Sequence, residues 1–228
     1  MVRVPGSYSV PVVDHFAVHR WERHEPAVAV LAIPPAAEPG VGQDVRRLAA
    51  AYQRHLTGRG VSVIPARWLH VTVCMLGWAS DLPASGQNYA DFLAVFANRV
   101  GQVLHAPTEL QGAQVGRTGV LLGLREGVVM VSSGGAAAAA ERTLGRRGET
   151  PRTPHLGLAY FTSEQADPYA SVNLANQPDQ LGKQTAYWTV DHLSVVDLVQ
   201  DRAARQYRWT VRDEIPLLTA PRPVHDAG

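Results

Sequence analysis

The sequence predicts an α+β fold with two pseudo-symmetric lobes, each an antiparallel sheet backed by helices, that face each other across a central cleft. Strand-like and helix-like segments alternate along the chain, and each half holds a strand–helix pair and a strand of the form His-x-small-x. The 228 residues suffice for one sizeable core, and 46% hydrophobic against 18% charged residues is typical of a soluble globular protein. We therefore expect an N-terminal arm at 1–25, a single bilobal domain at 26–217 and a C-terminal tail at 218–228.

Charge and cysteine content exclude several classes of protein. Lys and Arg number 21 against 20 acidic residues, so the composition does not indicate a protein that coats nucleic acid, although a local basic cleft is compatible with it. The single cysteine, Cys74, excludes an intramolecular disulfide and a cysteine-based metal cluster. The start of the sequence lacks a signal-peptide pattern, and no apolar run approaches the roughly 18 residues of a membrane span, so we expect a cytoplasmic protein without membrane attachment.

Hydrophobic periodicity and turn residues define the elements of the first half. The segment PAVAVLAIPP is apolar throughout and stops at a proline pair, as a central strand does. In chain order we predict a strand at 26–35, a helix at 43–56, extended segments at 61–65 and 67–78, and a helix at 88–105.

The second half is predicted from shorter, glycine-punctuated segments. In chain order these are strands at 108–124 and 127–133, a short helix at 134–147, a strand at 154–161, a helical turn or loop at 163–177, and strands at 185–200 and 207–217. The alanine run within 134–147 is also compatible with a weakly packed connection.

One strand of the first half carries polar side chains on a single face. In LHVTVCMLG, residues 69–77, strict alternation places His70, Thr72 and Cys74 together and puts Met75 on the opposite, core face. Burying an unpaired imidazole and a hydroxyl would cost about 1–3 kcal/mol each. The polar face therefore looks either onto solvent or into a cleft.

A strand of the second half repeats this arrangement. In PHLGLAYF, residues 154–161, alternation groups His155, Gly157 and Ala159 on one face and places Tyr160 on the core face. Two such strands, 85 residues apart in corresponding places, indicate that both histidines line one cleft. The histidines predicted to be simple surface residues are His15, His19, His24, His55, His105 and His225. The arm that carries the first three is either flexible or folded back over the body.

The segments RWLHVTVCMLG and RTPHLGLAYF resemble the two motifs of the two-histidine (2H) phosphoesterase superfamily, which includes 2′-5′ RNA ligase-like proteins and cyclic phosphodiesterases. Its signature is His-x-Thr/Ser-x, twice, on strands of two pseudo-symmetric lobes. The first copy is usually followed by Leu-Gly, and the second is usually preceded by Pro and followed by Leu-Ala. The resemblance covers residues 26–217. It implies a phosphoesterase that needs no metal or cofactor, in which His70 and His155 are base and acid in either order and Thr72 holds the phosphate.

The second motif departs from the family pattern at Gly157, where the family has Thr or Ser. A phosphate there can be held only by the backbone N–H of Gly157 or by an ordered water. Arg152 beside the second motif and Arg67 beside the first are candidates to compensate. Tyr160 is a weaker candidate, because alternation places it on the core face.

A rival for the second histidine is His192, which lies in DHLSVV with a hydroxyl two residues later. We favour His155 and expect His192, at most, to border the cleft. Among the aromatic residues, Trp68, Trp78 and Trp188 can stack on bases, although packing within the sheet is the simpler interpretation.

The resemblance implies that the substrate is an RNA end or a small nucleotide with a 2′,3′-cyclic phosphate or a 2′-5′ phosphodiester. The sequence shows no metal-ligand spacing, no P-loop ending and no nucleophile elbow. The alternative is a non-catalytic or weakly active module that binds nucleotide or RNA, with a degenerate second motif at Gly157.

Overall fold

The computed structural model describes residues 11–35, 43–56, 58–125, 127–177, 180–181 and 184–219. These residues have an α+β architecture with a strongly curled antiparallel sheet. The α-helices are α1 (His15–Val18), α2 (Gln43–Gln53), α3 (Gln87–Val100), α4 (Val128–Leu144) and α5 (Tyr169–Ala175). The strands are β1 (Ala27–Ala32), β2 (Val61–Val63), β3 (Val71–Trp78), β4 (Leu104–His105), β5 (Thr108–Val115), β6 (Gly119–Arg125), β7 (His155–Phe161), β8 (Ala186–Trp188), β9 (His192–Asp201), β10 (Gln206–Pro216) and β11 (Leu218–Thr219). None of the helices in the described ranges is long and apolar enough to cross a membrane.

The main sheet runs in the order β10-β9-β1-β3-β7-β6-β5-β8, and β2 pairs in addition with residues 159–161 of β7. Its two halves meet at β3 and β7, which share one registered pair, Val71 with Leu156. The two halves therefore form one sheet with a weakly paired seam rather than two separate sheets. β3, which begins directly after His70, and β7, which begins at His155, lie on either side of this seam.

The segment before each histidine pairs with the strand of the other histidine. β2 pairs with β7, and the backbone N–H of Ile64 donates to the carbonyl of Leu158 at 2.9 Å. On the other side, Met75 and Glu149 exchange two backbone hydrogen bonds of 2.7 and 2.9 Å. These crossed pairings join the two halves where β3 and β7 have little direct contact.

A β-bulge on β3 changes which side chains face the cleft. The register with β1 passes from Thr72 to Cys74 and skips Val73. Val73 and Cys74 are both fully buried, and Met75 returns to the cleft wall. The predicted faces of Cys74 and Met75 are therefore wrong, because a bulge inserts one residue and reverses the alternation beyond it.

β7 carries a bulge at the corresponding position. Its register with β6 passes from Gly157 to Ala159 and skips Leu158. Leu158 and Ala159 are both buried, and Tyr160 lines the cleft. The placement of Ala159 on the polar face and of Tyr160 on the core face is wrong for the same reason.

Residues 128–133 are the start of a helix rather than a strand. α4 runs from Val128 through the alanine run to Leu144 and packs against β3 and α3. The buried residues lie along one face of the helix, and this burial outweighs the low helix preference of valine and glycine. Two other boundaries also differ from the prediction. The helix expected to reach residue 105 ends at Val100, and the strand expected at 185–200 is divided into β8 and β9, which lie in opposite halves of the sheet.

Residues 11–24 of the arm fold back over the body. Asp14 caps α1 by accepting from the backbone N–H groups of Phe16 and Ala17, and its carboxylate pairs with Arg205 at 3.0 Å. The backbone N–H of Val13 donates to the carbonyl of Arg117 at 3.0 Å, in the β5–β6 turn. Further along, Gln200 of β9 donates to the carbonyl of His19 at 2.7 Å. The arm therefore contacts both halves of the sheet.

Candidate active site

A cleft of about 450 Å³ lies over the seam between the two halves. Five of the residues singled out from the sequence line it, namely His70, Thr72, His155, Gly157 and Tyr160. The arm adds His15, His19 and Trp21 to its wall, and the β9–β10 hairpin adds Leu198 and Tyr207. The cleft therefore combines residues from both predicted motifs with residues distant from them in the chain.

The imidazole of His70 is held by its own backbone. Its Nδ1 lies 2.9 Å from the carbonyl oxygen of Trp68, two residues earlier. Because a carbonyl only accepts, Nδ1 carries the hydrogen, and Nε2 is left to act as an acceptor. The ring also packs edge-on against Trp209 of β10, with a centroid distance of 4.9 Å.

Burial makes the first histidine a neutral base at physiological pH. Desolvation lowers the pKa of His70 from 6.5 to about 4. The hydrogen bond to Trp68 opposes this shift, and positive charge on His155 adds to it. The influence of His155 on this pKa is consistent with the two imidazoles sharing one cleft.

His155 repeats the backbone tether of His70 in a more exposed setting. Its Nδ1 lies 2.9 Å from the carbonyl oxygen of Thr153, again two residues earlier, so Nε2 is again left free. The residue itself is exposed. The two motifs therefore present the same ring atom in the same tautomer, from a partly buried residue in the first motif and from an exposed residue in the second.

The two half-sites differ at the position two residues after each histidine. The first presents the half-buried hydroxyl residue Thr72, which lines the cleft. At Gly157 an added Cβ would meet one heavy atom within 4 Å, the Cδ1 of Ile64 at 2.9 Å. Because this atom is the flexible end of a side chain, a shift of Ile64 would make room for a hydroxyl residue on the second side.

The arm supplies two cleft histidines that the sequence analysis assigned to the surface. His15 packs against Tyr160 with a ring centroid distance of 4.4 Å, and its Nε2 lies 3.1 Å from the hydroxyl of Tyr207. Burial, with positive charge on His19 as a smaller cause, lowers the pKa of His15 to about 3. Burial and the nearby Arg117 also lower the pKa of His19. The spacing of four between the two histidines was the available signal, since it places both on one face of a helical turn.

Tyr207 and Trp209 are the other residues that sequence reasoning missed. They lie two residues apart on the same face of β10. On this face Tyr207 contacts His15 of the arm and Trp209 contacts His70, which precedes β3. Period-two spacing of aromatic residues was the signal for them. The strand order, which brings β10 near the first histidine, was not apparent from the sequence.

Three of the candidate residues lie outside the cleft wall. Arg152 and Arg67 are exposed, and the Arg67 guanidinium lies 5.5 Å from the ring of Trp68. His192 lies between two carboxylates, with Nδ1 2.6 Å from Asp191 and Nε2 3.8 Å from Glu214. The two arginines that were candidates to compensate for Gly157 therefore do not line the cleft.

Within the described ranges, no three or more His, Cys, Asp or Glu side chains are grouped so that they could hold a metal ion. The cleft wall carries imidazoles, the hydroxyl groups of threonine and tyrosine residues, and one carboxylate, Glu149. Two free Nε2 atoms can give and take a proton, and Thr72 can donate a hydrogen bond to an anionic oxygen.

The fold is similar to that of several solved structures. The Thermus thermophilus protein TT0787 matches with a TM-score of 0.58 and 17% identity, over 86% of this chain and all of that chain. Escherichia coli LigT complexed with ATP matches with a TM-score of 0.57 and 18% identity, over 84% of this chain and 98% of LigT. A further phosphoesterase structure gives 0.57 and 16%, over 85% and 98% of the two chains.

LigT also matches in its complexes with phosphate, NADP+ and 3′-AMP. Neither a family model nor a curated protein matches the chain. The structural matches extend over most of the chain, and the chain shares its fold with LigT and with the phosphoesterase structure.

Proposed function

We propose that the protein is a metal-independent phosphoesterase that opens a 2′,3′-cyclic phosphate or a 2′-5′ phosphodiester at an RNA end or in a small nucleotide. The observation that carries the proposal is the pair of imidazoles, each tethered through Nδ1 to the carbonyl two residues upstream and each with Nε2 free. The nucleotide complexes of LigT support the ligand class. A cytoplasmic location, expected from the sequence, belongs to the same proposal.

We assign the two proton transfers from the unequal burial of the two histidines. His70 is neutral at pH 7, so its Nε2 accepts the proton of the attacking water. The water oxygen bonds to phosphorus, and the bond from phosphorus to the leaving ribose oxygen breaks. His155, when protonated, donates from Nε2 to that oxygen while the Thr153 carbonyl holds its other N–H. The product is a phosphomonoester with a free ribose hydroxyl.

Charge on the non-bridging oxygens grows during the attack, and Thr72 is placed to donate to one of them. On the second side, position 157 has no hydroxyl, and the other donors that the cleft wall offers are the hydroxyls of Thr118 and Thr150 and the imidazoles of the arm.

The test is turnover of a 2′,3′-cyclic nucleotide and of an RNA with a cyclic-phosphate end, in EDTA. We expect His70→Ala and His155→Ala each to lower kcat by about 10²–10⁴-fold, because each removes a proton-transfer group. His192→Ala is the matched control, since that histidine lies outside the cleft, and its turnover should equal that of the wild type. Loss of activity in EDTA, or full activity in either cleft variant, would contradict the mechanism.

The second candidate, a nucleotide-binding module, is favoured by Gly157, which leaves one half-site without a hydroxyl. It predicts that 3′-AMP binds while neither substrate is turned over. Binding without turnover in the wild type would decide for the module and against the enzyme.

A further inference from the structure

A second cavity of about 230 Å³ extends the cleft along β3. The two cavities share three wall residues, Trp21 of the arm, Met75 of β3 and Glu149. A ligand longer than the first cavity can therefore continue into the second along a shared wall.

Aromatic and cationic side chains form the second cavity. The rings of Trp21 and Trp78 lie 5.6 Å apart in an edge-to-face contact. Arg146 lies against the backbone of β3 at Gly77, whose φ is +126° and where any Cβ would overlap the guanidinium. Asp81 holds the same guanidinium at 3.7 Å. Arg146 therefore lies against β3 and shares the carboxylate of Asp81 with Arg23, which pairs with it at 3.1 Å.

Arg147, the next residue, is differently placed. It is exposed and lines the second cavity, and no hydrogen bond or ion pair within the described part of the chain involves it. Glu149 lies on the same wall, at the junction of the two cavities. The guanidinium of Arg147 can pair with a phosphate in the second cavity. The carboxylate of Glu149 at the junction can accept a hydrogen bond from a ribose hydroxyl or from a donor on a base.

We propose that the second cavity binds the phosphate and nucleoside adjacent to the terminal residue, so that the preferred ligand is an oligonucleotide end rather than a mononucleotide. This rests on the proposed function for the first cavity. Arg147 contacts the internucleotide phosphate, and the indole wall packs against the second base, which requires no particular base because every base presents a π face. The first cavity, at about 450 Å³, has the size of a site for one small ligand.

The test compares the binding of 3′-AMP with that of a diadenosine dinucleotide ending in a 3′-phosphate, by titration calorimetry. We expect the dinucleotide to bind the wild-type protein about tenfold more tightly, the effect of one added stacking and phosphate contact. Arg147→Glu should reduce this ratio to about one and leave 3′-AMP binding unchanged. Arg142→Glu, an exposed arginine of α4 outside the cavity, is the matched control for charge and should keep the wild-type ratio.

Equal affinities of the two ligands in the wild type would overturn the proposal. So would an Arg147→Glu variant that weakens both ligands by the same factor, because that result indicates a general electrostatic effect. Binding is measured on ligands that are not turned over. If the turnover assay contradicts the catalytic proposal, the binding comparison therefore still tests the second cavity independently.

Discussion

His70 and His155 are each positioned by a hydrogen bond from Nδ1 to the backbone carbonyl two residues earlier. This hydrogen bond is local, so both half-sites share a tautomer although their surroundings differ. Trp209 packs against His70, whereas His155 is exposed. Acid–base catalysis near pH 7 needs one proton donor and one proton acceptor, and two imidazoles can take these two roles when their environments differ.

The acid limb of the pH–rate profile reports on His70. Because burial lowers its pKa to about 4, its base form persists well below pH 6.5, and kcat/KM should fall only as the pH approaches 4. Trp209→Leu removes part of the packing and should move this limb toward higher pH. Steady-state rates from pH 3.5 to 8 measure both profiles, and a wild-type limb at pH 6.5 would contradict the role given to burial.

The missing hydroxyl at position 157 can be restored. Ile64→Val deletes the Cδ1 that a side chain at 157 would meet at 2.9 Å, so Gly157→Ser should fit in that background. If one donor to the phosphate is lacking, kcat should rise by about tenfold or more, up to the roughly 10²–10³-fold effect of one such donor. Gly157→Ala in the same background is the control for bulk. A serine variant no faster than the alanine variant would show that other donors already serve this side.

At the scale of the strands, the sequence predicted that two His-x-small-x strands line one cleft. The cleft-facing positions of the histidine and of the residue two places later were predicted correctly in both motifs. The next predicted position, Cys74 in the first motif and Ala159 in the second, is buried instead. The errors begin at the bulges, after Thr72 and after Gly157. A bulge depends on the pairing with the neighbouring strand, and the sequence of one strand does not determine the register of that pairing. The helical start of α4 was missed for a related reason, since its packing against β3 decides its structure.

The bulge on β3 makes a chemical prediction about Cys74. Its thiol lies in the core, and burial raises its pKa to about 12. A thiol-reactive dye at pH 8 should therefore leave the native protein unlabelled and label one thiol after unfolding in guanidinium. Met75→Cys in a Cys74→Ala background puts a thiol on the cleft wall and should label in the native state. Rapid labelling of native Cys74 would place it on the cleft face, as strict alternation predicts.

Across the whole molecule, the arm joins the two halves, with contacts to Arg117 on one side and to Gln200 and Arg205 on the other. The sequence left open whether this arm is flexible or folded back, because a segment with no clear hydrophobic period carries little local preference. The described residues fold back, and burial in the assembled cleft gives His15 its low pKa.

Global stability should therefore depend on pH through these histidines. The pKa of His15 is about 3 and that of His70 about 4 in the folded protein, both below 6.5. Between pH 6.5 and about 4 the unfolded chain binds protons that the folded chain does not, so the free energy of unfolding decreases as the pH falls. Each group contributes up to about 1.4 kcal/mol per pH unit. Urea unfolding at pH 7.5, 6 and 5 measures the slope.

In His15→Asn one of these groups is absent, and the loss of stability on acidification should be smaller. His24→Asn, on an exposed position of the same arm, should keep the wild-type slope. A His15→Asn slope equal to that of the wild type would mean that this side chain is not buried as the structure has it.

The central claim is that one phosphorus atom lies between His70 and His155. A crystal structure of the protein with a bound 3′-nucleotide tests it most directly. We predict that a phosphate oxygen lies within about 3 Å of Nε2 of each histidine and that another accepts from Thr72. A phosphate more than ~5 Å from both imidazoles, beyond hydrogen-bond reach even through one water, would contradict the account.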